Sequence, residues 1–352
     1  MSGLLGVAGA VLPNPIAAAA VGGAVGGLYS AVADHYDPSG HSSQLLVSAF
    51  KGAAAALLGQ TAGPLVGGGA GLALGFVLPA TQPASRVGLD TMGIPRLQKS
   101  GLSGKGVGVA LIDTGCAPRA DLQKSVAVYK DFLGDQPQRD DNGHGTRMAG
   151  LIHQVAPEAH LAVLRVGDGR GHIGIEEVES ALDWVHEHRT EFNLQVVNMS
   201  FGFEGCAPAP ISEKIATLAQ EGVLVCTSAG NEGAGVALED YKCAPGVISV
   251  ANFDSRGSVD AKDDRLVGDS NADPSITMAA PGHDILDNPH GLVPSRSSGG
   301  TSEASAIGSG LLALWKEARP ELQVGQAKEL IRKSPLSVGG IPIPQAEAIR
   351  ES

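Results

Sequence analysis

What the first 85 residues lack is charge. Asp34, Asp37 and Lys51 are the only ionised side chains before Arg86. No Lys or Arg precedes Lys51, so the positively charged start of a typical secretory signal peptide is missing. The triplet Ala31-Val32-Ala33 has the small residues of a cleavage site, but the apolar run ahead of it is too long for a signal. Basic residues are in deficit over the whole chain: 25 Lys and Arg stand against 37 Asp and Glu, for a net charge of −12. That balance excludes a nucleic-acid binder, whose footprint would be basic. Cysteine is scarce too. Cys116, Cys206, Cys226 and Cys243 include no C-x-x-C pair, which excludes the usual zinc patterns. Cys116 and Cys226 fall in apolar runs and are expected as small buried hydrophobes. Cys206 and Cys243 each open a Cys-Ala-Pro loop, and a disulfide between them would need an oxidising compartment.

In place of charge, residues 1–85 carry Gly, Ala, Leu and Val. Two uncharged runs, 2–33 and 52–85, are each long enough to span a bilayer on length alone. Small residues recur at four-residue spacing (Gly22, Gly26; Gly67, Gly71, Gly75), which lets helices approach closely. Against this, Ala and Gly are only mildly apolar, and Pro13, Pro15 and Pro64 interrupt the runs. Two readings stand: a membrane-inserting or partner-packing helical hairpin, and a pro-segment or helical cap. The two readings correspond to membrane association and to export by a non-standard route. The stretch LPATQPASR, 78–86, has the composition of a linker and ends in a basic residue, as a processing site would.

From residue 86 onward the texture is globular. GVGVALIDTG, AHLAVLRV, LQVVNMSFG, VLVCTSAGN and GVISVAN are short apolar runs rich in Val and Ile. Between them lie helical patterns at 174–190 and 210–222. Alternation of this kind predicts an α/β fold with a mainly parallel sheet covered by helices on both faces. In such sheets active sites gather beyond the carboxyl ends of the strands. Asp113 follows the first strand, Asn231 follows VLVCTSAG, and His144 and Ser302 each open a predicted helix beside glycine. Singly, they read as turn residues, a solvated helix start and an N-cap. Together, an Asp, a His and a Ser are the parts of an acyl-transfer site. An imidazole takes the serine's proton, and a carboxylate fixes the imidazole's tautomer.

The segments GLSGKGVGVALIDTGCAP, NGHGTRMAGLI, NMSFG, SAGNEG and GGTSEASA, in this order, resemble the subtilisin-like serine proteases, the subtilases. The resemblance covers roughly residues 86–350. It implies a three-layer α/β/α catalytic domain at 86–352; the Gly/Ala-rich region 1–85, expected to be helical from its own runs, lies outside the resemblance. It implies a serine endopeptidase working through an acyl-enzyme, with Ser302 as nucleophile, His144 as general base and then acid, and Asp113 orienting His144. Asn231 would donate its amide to the oxyanion. A polypeptide substrate would bind as an extended strand, paired with Ser200, Phe201 and Gly202, with Ser228, Ala229 and Gly230 lining the other side. No cofactor or metal enters the chemistry. Structural calcium is frequent in the family, but no acidic loop here is clear enough to name ligands. Self-processing near 78–86 is the accompanying expectation. The alternative is a catalytically silent subtilase scaffold that serves as a binding or membrane-associated structural protein.

Three positions depart from the family pattern. Glu303 follows the serine where an apolar residue is usual, Ala306 replaces a common proline, and Arg147 stands where a second His is usual. The two charges are opposite and fall on the helices opened by His144 and Ser302, which predicts an ion pair linking them. The competing reading turns Glu303 to solvent or to the leaving-group side of the cleft. Asp140 and Asp141 are expected to border the second subsite, and Glu232, Glu239 and Asp240 the first. Acid there would favour Lys or Arg before the cleaved bond, unless these are ordinary surface acids.

Overall fold

The computed structural model describes residues 84–350, apart from 135, 204–208, 237, 239, 259 and 288–294. The chain divides into two units, Met1–Ala80 and Thr81–Ser352, and the described residues belong to the second. The hairpin and cap readings of residues 1–83 lie outside them.

Two short helices, α1 (Ala84–Thr91) and α2 (Ile94–Lys99), lead into the first strand. Arg86 therefore sits in a helix, so the last three residues of the linker expected over 78–86 are helical, and 78–83 lie outside the described residues. The sheet then follows as β1 (Gly108–Asp113), β2 (Val126–Asp131), α3 (His144–Val155), β3 (His160–Arg165), α4 (Ile175–His188), β4 (Leu194–Met199), α5 (Ala209–Gln220), β5 (Leu224–Ser228) and β6 (Val247–Asp254). Spatially the strands run β2-β3-β1-β4-β5-β6, all parallel. Beyond β6 lie β7 (Arg265–Leu266), antiparallel, and β8 (Met278–Pro281), parallel. The chain leaves β1 toward β3 and returns on its other side as β4. The strand order thus reverses at β1, the kind of crevice where α/β sheets bind ligands.

The sheet forms because its strands are apolar on both faces. Along β1, Val109 and Leu111 join one core while Ala110 and Ile112 join the other, as the two-residue period dictates. The first core is closed by α3, through Met148, Ile152 and Val155, and by α6 (Thr301–Ala318), through Ile307, Leu311 and Trp315. The second is closed by α4 and α5, through Val178, Leu182, Ile211 and Ile215. The result is the expected three-layer α/β/α arrangement. β9 (His283–Asp287) and β10 (Ser295–Gly299) form a hairpin just ahead of α6, and α7 (Val324–Arg332) follows it.

Helix α6 is buried on nearly every side, so it packs as a central rod rather than a surface helix. Its crossing with α3 depends on Gly310, where a Cβ would stand 2.6 Å from Val155 Cβ. Gly310→Ala gains helix propensity but overpacks this crossing. A net loss of about 1–3 kcal/mol is expected from denaturant titration. Unchanged or higher stability would show that α3 and α6 separate easily.

Cys116 and Cys226 are fully buried free thiols, and burial pushes them up to about 12 and about 11. Cys243 is also a free thiol, exposed, with Leu238 O and Ser275 Oγ as its neighbours. The disulfide that the sequence leaves open between Cys243 and Cys206 is therefore not made at Cys243. Cys206 itself lies outside the described residues. Among the described residues no helix is long and apolar enough to cross a membrane, and no group of three or more His, Cys, Asp or Glu is arranged to hold a metal ion.

Candidate active site

Asp113 is the last residue of β1 and is fully buried. Its Oδ1 accepts the Thr114 N–H at 2.7 Å and lies 2.8 Å from His144 Nδ1. His144 is the first residue of α3, so its position follows from where that helix begins. The helix start is pressed against the turn after β1: a Cβ on Gly145 would stand 2.1 Å from Gly115 O. Only glycine fits there.

Asp140 ties the same two segments together. Its carboxylate accepts from Thr114 Oγ1 (2.9 Å), the Gly143 N–H (2.8 Å), the Thr146 N–H (2.8 Å) and Thr146 Oγ1 (2.6 Å). Although burial alone would raise the Asp140 carboxyl, these hydrogen bonds outweigh it and hold it below the usual carboxylate range. Asp140 was expected at the second subsite; instead it is consumed in fixing the His144 helix to the Asp113 turn. Asp141 pairs with Arg139 at 2.5 Å and Arg165 at 3.5 Å, so it too offers substrate no free charge.

His144 is held strongly basic. Burial would lower its pKa, but the Asp113 charge and hydrogen bond, together with the Glu303 charge, outweigh burial and an opposing Arg147. The imidazole is raised to about 9.

Ser302 is the second residue of α6. Its hydroxyl donates to Ser200 O at 2.9 Å, and Ser200 Oγ donates back to Ser302 O at 3.1 Å. The triad pattern implies a Ser302 hydroxyl directed at His144; here it turns to the carbonyl just past β4.

Asn231 Oδ1 accepts from the Thr301 N–H at 2.9 Å and from Thr301 Oγ1 at 3.0 Å. This fixes the amide over Gly300, where a Cβ would stand 3.2 Å from Nδ2. The Ser302 N–H, in the first turn of α6, has no intrahelical partner. Both are donors of the kind an oxyanion needs.

The two expected substrate segments differ in what their backbones have left to offer. Ala229 and Gly230 are already committed: Ala229 N–H to Val250 O, Gly230 N–H to Thr301 Oγ1, and their carbonyls to Asn271. With Ser228 buried beside them, this stretch can line a cleft but has little backbone free to pair. On the other side, Ser200 O holds the Ser302 hydroxyl and Phe201 O accepts from Tyr241 Oη at 2.7 Å. Gly202 is exposed, and neither its N–H nor its carbonyl is bonded among the described residues. Glu232 accepts from Asn271 Nδ2 at 2.8 Å, while Glu239 and the side chain of Asp240 lie outside the description.

Reading the sequence missed the supporting roles of Asn271 and Thr301, and of Asp140, which it singled out only as a subsite acid. An Asp three residues before a glycine at a helix start was the available signal for Asp140. Nothing in the spacing pointed to Asn271, which lies 40 residues beyond Asn231.

Comparison with known proteins agrees with this architecture. Residues 104–342 match Peptidase_S8, the subtilase family. The major intracellular serine protease of Bacillus subtilis (strain 168) is 31% identical over 259 residues, covering 66% of this chain and 76% of that protein. An intracellular serine protease of Paenibacillus polymyxa is 33% identical over 239 residues, covering 61% of this chain and 68% of that one. A crystal structure of a cold-adapted subtilisin-like serine proteinase superposes with a TM-score of 0.59 at 25% identity, covering 70% of this chain and 88% of its own. The chain belongs to the subtilase family and is a subtilisin-like serine protease. Its substrates are polypeptides, and catalysis in the family needs no cofactor. The silent-scaffold alternative finds no support among these relatives, which are serine proteases.

Proposed function

We propose that residues 86–352 are the catalytic domain of a serine endopeptidase in which Asp113, His144 and Ser302 form the triad and Asn231 serves the oxyanion. The observation that carries this reading is the 2.8 Å contact between His144 Nδ1 and buried Asp113, with Ser302 opening the helix packed against that of His144. An extended substrate lays its backbone along Ser200–Gly202. Its N–H takes Ser200 O and releases the Ser302 hydroxyl. Ser302 Oγ attacks the peptide carbonyl carbon as its proton passes to His144 Nε2. The oxyanion rests on Asn231 Nδ2 and the Ser302 N–H. Collapse breaks the C–N bond, the amine leaves with the proton from His144, and water then hydrolyses the acyl-enzyme by the same route.

A fluorophosphonate probe should label the wild-type protein on Ser302 and leave Ser302→Ala unlabelled. Labelling elsewhere, or none in any processed form, would overturn the triad. The same pair of proteins addresses residues 1–85, which we read as a leader removed by self-cleavage save for the residues from Ala84 on. A protease acting on extended backbone would cut ahead of the helix that begins at Ala84. Fragment masses should show that cut in wild type and not in Ser302→Ala. Equal persistence of both full-length chains would exclude self-processing.

A further inference from the structure

Glu303, next in sequence to Ser302, is only 4% exposed. Its Oε1 lies 3.1 Å from Arg147 Nη1. Its Oε2 turns back toward Gly300, 3.4 Å from where a Cβ would stand on that residue, beside the Asn231 amide. Arg147 is three residues after His144 in α3 and so shares its face of the helix. A carboxylate this buried is costly unless paired, and Arg147 is the cation bonded to it. The pair thus bridges the first turns of α3 and α6, the helices that present His144 and Ser302. Few other charges bear on His144. Asp113 faces it from β1, Arg147 from α3 itself and Glu303 from α6. Asp140 and Asp141, in the loop ahead of α3, are committed to the Thr114 and Thr146 hydroxyls, local N–H groups, Arg139 and Arg165.

We propose that Glu303 and Arg147 are positioning residues, one from each helix of the site, which lock those helices together and place opposing charges beside His144, so that the pair sets the pH at which His144 becomes a base. This rests on His144 acting as that base. The negative charge of Glu303 favours the imidazolium and the positive charge of Arg147 disfavours it. They do not cancel: the Glu303 side chain is 5% exposed against 27% for Arg147, so water and salt screen it less. The influence of Glu303 on His144 is accordingly the stronger of the two.

The test is the pH profile of kcat/KM for peptide hydrolysis in wild type, Glu303→Gln, Arg147→Gln and the double variant. Parallel NMR titrations of the His144 ring are run in a Ser302→Ala background, where turnover is not needed. Glu303→Gln should move the inflection to lower pH by about 0.5–1 unit, and Arg147→Gln should move it to higher pH, by less. The double variant should fall between the two. Glu303→Asp and Arg147→Lys, which keep the charges, should stay near wild type. A pair that merely holds the helices together would lower kcat in all the neutralised variants without moving the inflection or the NMR titration, and that result would overturn the proposal. The two readings fail separately. If the wild-type kinetic inflection does not coincide with the His144 ring titration, His144 is not the base and both fall. If they coincide but the variants move neither, only the role of the pair falls.

Discussion

Asp113→Asn is expected to cut peptide turnover by about 10⁴-fold, the loss typical of this change in a serine-protease triad, while leaving the fold in place. The substitution keeps the size of the side chain in a fully buried site. What it removes is the negative charge 2.8 Å from His144 Nδ1. An amide that keeps its oxygen on the Thr114 N–H still accepts from His144 Nδ1 but brings no negative charge to stabilise the imidazolium, and an amide that flips presents N–H to the ring nitrogen and selects the wrong tautomer. Either way, proton transfer from Ser302 loses its driving force. Fluorophosphonate labelling should slow together with peptide hydrolysis, and circular dichroism should be unchanged. A loss below tenfold with intact labelling would remove Asp113 from the mechanism.

The second large effect is with pH. As the proposed base, His144 must be neutral to accept a proton, and against the effect of burial Asp113 and Glu303 hold its imidazole raised to about 9. kcat/KM should therefore climb with pH and level off only above that value. At pH 7, two units below, about one molecule in a hundred has a neutral imidazole, so activity should be about 100-fold below the plateau. A profile flat from pH 7 upward would refute this. Stability should run the opposite way. The folded-state pKa is raised above the ordinary 6.5, so the contribution of charged His144 is complete below about 6.5 and is lost as pH rises through about 9. The protein should be most active where this contact no longer helps to hold it together. Thermal unfolding of wild type and His144→Ala at pH 6 and pH 10 would show it as a gap between the two proteins that closes at the higher pH.

The central strands were legible because parallel strands buried on both faces are written as near-continuous apolar runs, as in VALID and VISVANF. The edge strand β2 was not, because VAVYKD is mostly half-exposed and carries no such run. Asp113, His144, Asn231 and Ser302 could be picked out since each stands at a strand end or helix start beside glycine, a local and linear cue. Asp140 was visible as an acid but placed in the wrong role. Spacing shows where a carboxylate falls along the chain, not that five donors from two segments converge on it. The Arg147–Glu303 contact could be anticipated because two opposite charges occupied matching unusual places on helices expected to pack. The Cys206–Cys243 bond could not be judged that way, since matching Cys-Ala-Pro loops say nothing of distance. The direction of the Ser302 hydroxyl depends on competing acceptors and leaves no mark in the sequence.

Helix α6 has a consequence for the timing of biosynthesis. It packs against β4, β5, β6, β8 and α3, and it enters the ribosomal exit tunnel only after all of them. Asp113 and His144 come together early in chain order, but the residue proposed to cut arrives with the central rod of the first core. A nascent chain that has folded only its sheet would be harmless to its neighbours, and to itself. Proteolytic competence would appear in one step, when α6 inserts, rather than growing as the polypeptide lengthens.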